Sequence, residues 1–170
     1  TIKLEKIKDQ IIMFKQSIFY YKLNRYLTKF NWYGTKGCKK KYFKSPQWLR
    51  NIKSKKFLFW RLDTLLSDTK YMNKYYINNG GWHFSNLKNA EGIEHKLKSY
   101  LHHRDYEVEE LGLKKINELI KNNQTIYDMF GDKTSKKYGD DTRKKLEKYE
   151  FDNLPEYIKL NKDKLKEWID

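Results

Sequence analysis

The sequence has a single cysteine, Cys38, two prolines and no long apolar run in its 170 residues. One cysteine excludes an internal disulfide, which favours a reducing compartment such as the cytoplasm. A transmembrane helix needs about 18 or more apolar residues in a row, and the sequence has no such run. The opening TIKLEKIKDQ also lacks the apolar core of a signal peptide. We therefore expect the chain, as given, to be soluble.

Several common functional motifs are missing as well. There is no GxxxxGK[ST] or GxGxxG phosphate loop and no GxSxG nucleophile turn. The four histidines lie within 21 residues, but no HExxH or CxxC accompanies them, so their spacing does not match a zinc site. These absences exclude the most familiar nucleotide cradles, serine hydrolases and structural zinc sites. A catalytic or binding site in this chain must therefore be formed by a less common sequence motif.

Aromatic residues and lysines are abundant. Aromatic residues make up 16% of the chain and supply most of the surface that a core needs, so we predict one domain over residues 1 to 170. Lysine and arginine total 37 against 22 acidic residues, and the net charge of +15 favours an anionic partner. Lysines recur in every segment, which predicts charge spread over exposed side chains without one deep groove. Nucleic acid is accordingly the less favoured partner.

The N-terminal half contains short strand signals and one short helix signal. The apolar and aromatic stretch IIMFKQSIFYYKLN, residues 11–24, suits a buried strand as well as a helix, and we favour a strand at 17–23. KYYINN predicts another strand at 74–79. Residues 31–43 contain Gly34 and Gly37 and indicate a turn or a short extended piece. Pro46 after Ser45 predicts the first turn of a short helix with Trp48 and Leu49. Residues 51–74 show neither the helical period of about 3.6 residues nor the strand period of about 2 residues clearly.

The C-terminal half is predicted to be helical. Asn89 can cap a helix over 89–103, with Glu91 in its first turn. A second helix is predicted from Glu109. We expect residues 132–150 to lie on the surface, followed by a helix in the tail. The predicted apolar stripes are Ile93, Leu97, Tyr100 and Leu101 in the first helix, Leu113, Ile116, Leu119 and Ile120 in the second, and Leu160, Leu165 and Trp168 in the tail.

The stretch NNGGWHFSNLKN, residues 78–89, combines two glycines with a tryptophan and a histidine. Glycines allow a sharp turn or the close approach of a ligand. We expect His83 to lie in the connection between a strand and the 89–103 helix, where ligand sites of α/β proteins concentrate. A tight turn with Trp82 in the core is equally consistent. Glu91, His95 and His102 share a helical face that looks into solvent or a cleft.

This region also carries a resemblance to a known family. GGWHFSNLKNAEGIEHKLKSYLHH resembles the signature block of the β-1,4-mannosyl-glycoprotein β-1,4-N-acetylglucosaminyltransferases, the bisecting N-acetylglucosaminyltransferases and their bacterial and viral relatives. The segments FYYKLN (19–24), WYGTK (32–36), SPQWLRN (45–51) and LPEYIKLN (154–161) resemble family segments in the same order. The matching positions of the block are Gly81, Trp82, His83, Ser85, Glu91, Ile93, Lys96, Leu97 and His102.

The resemblance implies an α/β fold, specifically the helix-rich C-terminal portion of a GT-A-like glycosyltransferase with a few strands. Family members begin with an Asp-x-Asp motif that binds metal and nucleotide sugar, and no Asp-x-Asp occurs in this sequence. The chain therefore resembles only the C-terminal part. Arg104 stands where many relatives carry an acid, so no role is transferred to it. A viral relative would place the protein in a host cell.

The activity implied is a metal-dependent, inverting transfer of N-acetylglucosamine or a related sugar from a nucleotide-sugar donor to a glycan acceptor. The divalent cation would be manganese or magnesium, with His83 as a metal ligand and catalytic residue. Glu91 is the candidate general base. The substrate-binding positions implied are Trp82, Ser85, Lys96 and His102.

A different class of function competes with this interpretation. A non-catalytic basic module could bind nucleic acid or an anionic glycan through the surface around Lys39, Lys40 and Lys41. A solvated lysine face is the commoner explanation of such a run. The sequence leaves donor, acceptor, linkage and oligomeric state open.

Overall fold

The computed structural model describes residues 6–55, 57–58, 60–62, 66–99, 111–127 and 143–170. These residues form a mixed α/β structure with two small sheets, which confirms the predicted class. The strands are β1 (Ile11–Phe14), β2 (Ser17–Tyr20), β3 (Arg25–Tyr26), β4 (Lys36–Cys38), β5 (Lys74–Ile77), β6 (Trp82–Ser85) and β7 (Glu147–Lys148). The helices are α1 (Pro46–Asn51), α2 (Ala90–Ser99), α3 (Gly112–Lys121) and α4 (Glu156–Leu160), with 3₁₀ turns at Lys40–Tyr42, Phe151–Asn153 and Lys166–Trp168.

The chain divides into two compact units. Unit 1 consists of Thr1–Gln16 and Asn31–Gly81, and unit 2 consists of Ser17–Phe30 and Trp82–Asp170. Each unit contains one sheet and draws on two separate stretches of the chain. The prediction of one domain over residues 1–170 stays a prediction, as does the GT-A-like architecture.

Unit 1 is built around β1, whose four residues IIMF are all apolar. This strand pairs antiparallel with β4 on one side and parallel with β5 on the other. Side chains of a strand alternate between its faces, so both faces of β1 need an apolar neighbour. Ile11 and Met13 pack with Trp48 and Ile52, whereas Ile12 packs in a separate cluster. A central strand covered on both faces explains the uninterrupted apolar sequence.

Helix α1 begins where the sequence predicts. The Ser45 hydroxyl accepts a hydrogen bond of 3.1 Å from the backbone N–H of Trp48, and Pro46 occupies the first turn. Both features satisfy or remove backbone donors that a helix start leaves unpaired. The Trp48 ring is buried and its Nε1 donates to the Asp68 carbonyl at 2.9 Å. The predicted short helix is confirmed.

Unit 2 has the sheet order β6-β2-β3-β7, with β2 parallel to β6 and antiparallel to β3. The strand predicted at 17–23 is confirmed for 17–20 and ends before Tyr21, whose φ of 61° is incompatible with a strand. Phe19 is fully buried in an aromatic cluster, with ring centroids 5.0 Å from both Phe84 and Tyr149. Aromatic rings therefore supply this core, as the composition predicts.

Helix α2 is confirmed within the described residues. The Asn89 side-chain oxygen accepts a hydrogen bond of 3.0 Å from the backbone N–H of Gly92, which is the predicted cap. Ile93 and Leu97 are buried, as the stripe requires. Tyr100 and Leu101, which complete the prediction to 103, lie outside the described residues. 

Helix α3 departs from its predicted stripe at one end. Ile116 and Leu119 are buried, and α3 contacts α2, but Leu113 is exposed. Leu113 lies in the first turn of the helix. The predicted start at Glu109 lies outside the described residues.

The tail does not form the predicted single helix. Helix α4 ends at Leu160, where the Asn161 side chain donates to the Tyr157 carbonyl at 2.9 Å and closes the last turn. Leu160 is exposed, while Leu165 and Trp168 pack against the Phe19 cluster from turns. The predicted helix is therefore wrong beyond Leu160.

The surface stretch predicted at 132–150 is described only from residue 143. Both residues of β7 are exposed there and Leu146 is buried, so the prediction of a surface stretch is confirmed for most of this part. β7 pairs with β3, a partner more than 100 residues earlier in the chain. In the part of the chain that the structure describes, no helix is long and apolar enough to cross a bilayer.

Candidate functional site

The two glycines of NNGGWHFS have a structural explanation. A Cβ on Gly80 would lie 2.9 Å from the Cα of Phe14, closer than two such carbons can approach. The Gly80 N–H donates to the Lys15 carbonyl at 2.8 Å, and Gly81 has a φ of 128° that side chains rarely tolerate. The pair therefore makes the predicted sharp turn after β5 and lets the chain run close to β1.

His83 lies within a strand and not in a strand–helix connection. Residues 82–85 pair in parallel with β2, and His83 is opposite Ile18 while Ser85 is opposite Tyr20. The expectation of a connection was wrong because the strand that leads to α2 is this second one, β6, and not β5. The carboxyl end of β6 still leads into a helix after four residues, which is where α/β proteins place ligand sites.

Trp82 and His83 lie on opposite faces of β6. Consecutive strand residues alternate, and Phe84 packs on Phe19, so Trp82 shares the face of the aromatic cluster. Its ring is partly exposed, and Nε1 donates to the Asn153 carbonyl at 3.2 Å. His83 and Ser85 are on the other face, and both are half-buried. The structure therefore does not bring Trp82 beside His83, and it does not bury Trp82 in the core.

His83 lies beside Lys96 of α2. Burial lowers the pKa of His83, and the Lys96 ammonium lowers that pKa further. Burial also lowers the pKa of Lys96, with a smaller effect from Lys88. Lys96 Nζ donates to the Asn86 side-chain oxygen at 2.7 Å. The His83 imidazole is therefore close enough to the Lys96 ammonium to respond to its charge.

Asn86 is the residue of this site that the sequence analysis missed. It is buried, directly follows β6 and has a φ of 55°, a conformation that asparagine tolerates better than most residues. An asparagine immediately after a strand is the signal that could have identified it. Its side chain holds Lys96 toward β6, so it positions the lysine.

The remaining predicted residues of α2 are more dispersed. Glu91 lies in the first turn and is exposed, and His95 is exposed one turn later. Both facts agree with a helical face that looks away from the core. His102 lies outside the described residues. The structure therefore groups His83 with Lys96, and places Glu91 at the start of the same helix.

The chemistry of this arrangement favours an anion. Lys96 supplies a partly desolvated positive charge, and the neutral His83 ring can donate one N–H. The start of α2 adds the partial positive charge of a helix N-terminus. Phosphate oxygens suit such a set of donors.

A divalent cation does not fit the described residues by themselves. Among them, no three His, Cys, Asp or Glu side chains gather as a ligand set. His83 has a lysine ammonium beside it, which repels a cation. The manganese or magnesium ion implied by the resemblance therefore stays a prediction.

Comparison with known proteins gave no match: no protein-family model, no curated protein and no solved structure matches this chain.

Proposed function

We propose that the chain is a glycosyltransferase, which transfers N-acetylglucosamine or a related sugar from a nucleotide-sugar donor to a glycan acceptor with inversion. The observation that carries the proposal is the half-buried His83 in the parallel strand β6, on which the ammonium of the half-buried Lys96 in α2 acts electrostatically. The resemblance of GGWHFSNLKNAEGIEHKLKS to the transferase signature block supports it.

The pair has a role in the departure of the nucleotide. When the bond between the sugar and the diphosphate of the donor breaks, the departing nucleoside diphosphate gains negative charge. A lysine fixed in advance stabilises that charge without reorganising in the transition state. Asn86 fixes Lys96 through the 2.7 Å hydrogen bond. His83, held neutral by its surroundings, donates an N–H to a diphosphate oxygen.

Inverting transfer also requires a base that takes the proton from the attacking acceptor hydroxyl. Glu91 is the proposed base. Its carboxylate is exposed in the first turn of α2, so an acceptor sugar can reach it from solvent. Ser85 lies on the same face of β6 as His83 and is proposed to bind substrate hydroxyls.

The test is release of free nucleotide from a panel of UDP- and GDP-linked sugars in the presence of an oligosaccharide acceptor. It uses the protein with every residue that its gene encodes. Lys96→Met and His83→Gln should each lower turnover by about 100-fold, the typical loss when one preorganised donor is removed. Lys98→Met is the matched control, because Lys98 lies on the same helix, is exposed and forms an ion pair with Glu94 at 3.4 Å.

Glu91→Gln should lower turnover while calorimetry shows that the nucleotide still binds, since a base acts on the acceptor. Turnover by Lys96→Met and His83→Gln at the level of the parent protein would contradict the proposed site. Absence of turnover with every donor would contradict the proposed activity.

A further inference from the structure

Most of the net charge of the protein belongs to unit 1. The stretches that form unit 1 contain 16 lysine and arginine residues against 4 acidic residues, a net charge of +12. Those of unit 2 contain 21 against 18, a net charge of +3. An anionic surface is therefore attracted to unit 1 far more strongly than to unit 2.

Unit 1 also exposes large apolar side chains. Four of them lie within nine residues and are more than half exposed: Leu58 at 55%, Trp60 at 61%, Leu62 at 75% and Leu66 at 96%. Large apolar side chains that are exposed this often in one short stretch are typical of a segment that contacts a protein or a membrane. Three of the four are leucines.

Apolar and basic side chains meet at one cavity of unit 1. The cavity has a volume of about 540 Å³ and is lined by Phe43, Leu66 and Tyr71 together with Lys41 and Lys44. Phe43 and Tyr71 are each about half exposed. We call these five residues the basic apolar face. Apolar side chains beside lysine ammonium groups are typical of a surface that binds the charged headgroup region of a membrane.

Negative charge on this face is compensated. Asp68 lines the same cavity, but its carboxylate is 3.2 Å from the Lys44 ammonium. A second cavity, of about 260 Å³, shares Tyr71 and adds Lys70 and Lys74 next to Asp9. The excess of positive charge thus extends beyond the first cavity.

We propose that the basic apolar face, with the exposed residues 58, 60 and 62, binds the surface of an anionic lipid bilayer. Leucine and tryptophan side chains enter the boundary between headgroups and acyl chains, while the lysines contact anionic headgroups. Single-stranded nucleic acid would instead need aromatic faces on which bases stack. Phe43, Tyr71 and Trp60 offer such faces, but the two most exposed side chains of this surface, Leu66 at 96% and Leu62 at 75%, have none and suit the boundary of the acyl chains, so the bilayer is the better partner. This inference does not depend on the proposed transferase activity.

The test is cosedimentation of the 170-residue chain with vesicles of phosphatidylcholine alone or with about 30% phosphatidylserine. We expect binding to the mixed vesicles to be at least about tenfold stronger, because each lysine near an anionic surface contributes about 1 kcal/mol. Added salt should weaken the binding. Tryptophan emission should shift to the blue on binding, and Trp60→Phe should remove that shift.

Two sets of variants test whether binding depends on the basic apolar face or on exposed apolar and charged side chains in general. Phe43→Ser with Leu66→Ser should lower binding by about tenfold or more, and Lys41→Glu should lower it with the mixed vesicles alone. Tyr157→Ser with Leu160→Ser is the matched control, because these side chains of α4 in unit 2 are 70% and 77% exposed. Lys164→Glu is the charge control in unit 2.

Equal binding to both kinds of vesicle, or no binding to either, would overturn the proposal. So would an equal loss in the unit 2 controls. Concentration-dependent dimerisation that Phe43→Ser with Leu66→Ser abolishes would mean that a second copy covers the face. Tighter binding of a single-stranded oligonucleotide, weakened by the same substitutions, would identify nucleic acid as the partner.

Discussion

The two units differ in charge because they differ in acidic residues. Basic residues are numerous in both, 16 in unit 1 and 21 in unit 2, whereas acidic residues number 4 and 18. The prediction that lysines are spread along the chain agrees with these counts, but the net charge is not spread with them. A lysine-rich segment is strongly basic only where acidic neighbours are missing.

The units also use the same strand arrangement differently. Each sheet contains one parallel pair, β1 with β5 in unit 1 and β2 with β6 in unit 2. β5 runs into the glycine turn, whereas β6 leads into the ten-residue helix α2. The helix start that follows β6 supplies a partial positive charge, which the glycine turn after β5 does not. The candidate transferase site is therefore in unit 2, and the charged face is in unit 1.

The largest expected effect tests whether the two units are separate in stability. Phe19→Ala removes a fully buried ring from the core of unit 2 and should lower the free energy of unfolding by about 3–5 kcal/mol. Amide hydrogen exchange should then accelerate in β2 and β6 while β1 and β4 stay protected. Equal acceleration in all four strands would show one cooperative structure. Phe19→Leu keeps most of the apolar volume, so it should lower the free energy of unfolding much less.

A smaller effect is expected at the turn of unit 1. Gly80→Ala places a Cβ 2.9 Å from the Phe14 backbone and should cost about 1–3 kcal/mol in urea unfolding. Gly37→Ala is the matched control in the same unit, because its nearest neighbour, the Ile12 side chain, is 3.9 Å away. If the two substitutions lowered the free energy of unfolding equally, the short distance between residue 80 and the Phe14 backbone would not be the reason for a glycine at position 80.

The pH dependence of stability should depend on His83. Its pKa in the folded protein is lowered by burial and by Lys96, so the unfolded chain binds the proton more readily. The contribution of His83 to the free energy of unfolding is fully present above the ordinary histidine pKa of about 6.5, and it is lost as the pH drops below that value. His83→Gln, or Lys96→Met, should therefore reduce the fall in melting temperature between pH 8 and pH 5.5. A fall unchanged by either substitution would place the sensitive group elsewhere.

The smallest effect is expected on the exposed side of α2. Lys98→Gln removes an ion pair with Glu94 and should change the free energy of unfolding by about 0.5 kcal/mol or less. A chemical denaturation curve measures this directly. A loss above 1 kcal/mol would show that Lys98 has a structural role, and it would disqualify Lys98→Met as the control for Lys96→Met.

The sequence by itself determined the features that depend on near neighbours. Ser45 and Pro46 start α1, and Asn89 caps α2, because the hydrogen bonds that begin a helix join residues two or three positions apart. The period of Ile93 and Leu97 identified a buried helical face for the same reason. The turn at Gly80 and Gly81 also follows from local signals.

Only the tertiary structure decided the features that depend on distant partners. His83 became a strand residue because β6 pairs with β2, which is more than 60 positions earlier. That pairing separates Trp82 from His83 and brings Lys96 to the histidine side of the sheet, where Asn86 holds it. The tail likewise leaves helical geometry so that Trp168 can pack on the Phe19 cluster. A strand has no hydrogen bonds within itself, so its register and its faces are fixed by whichever segment lies beside it.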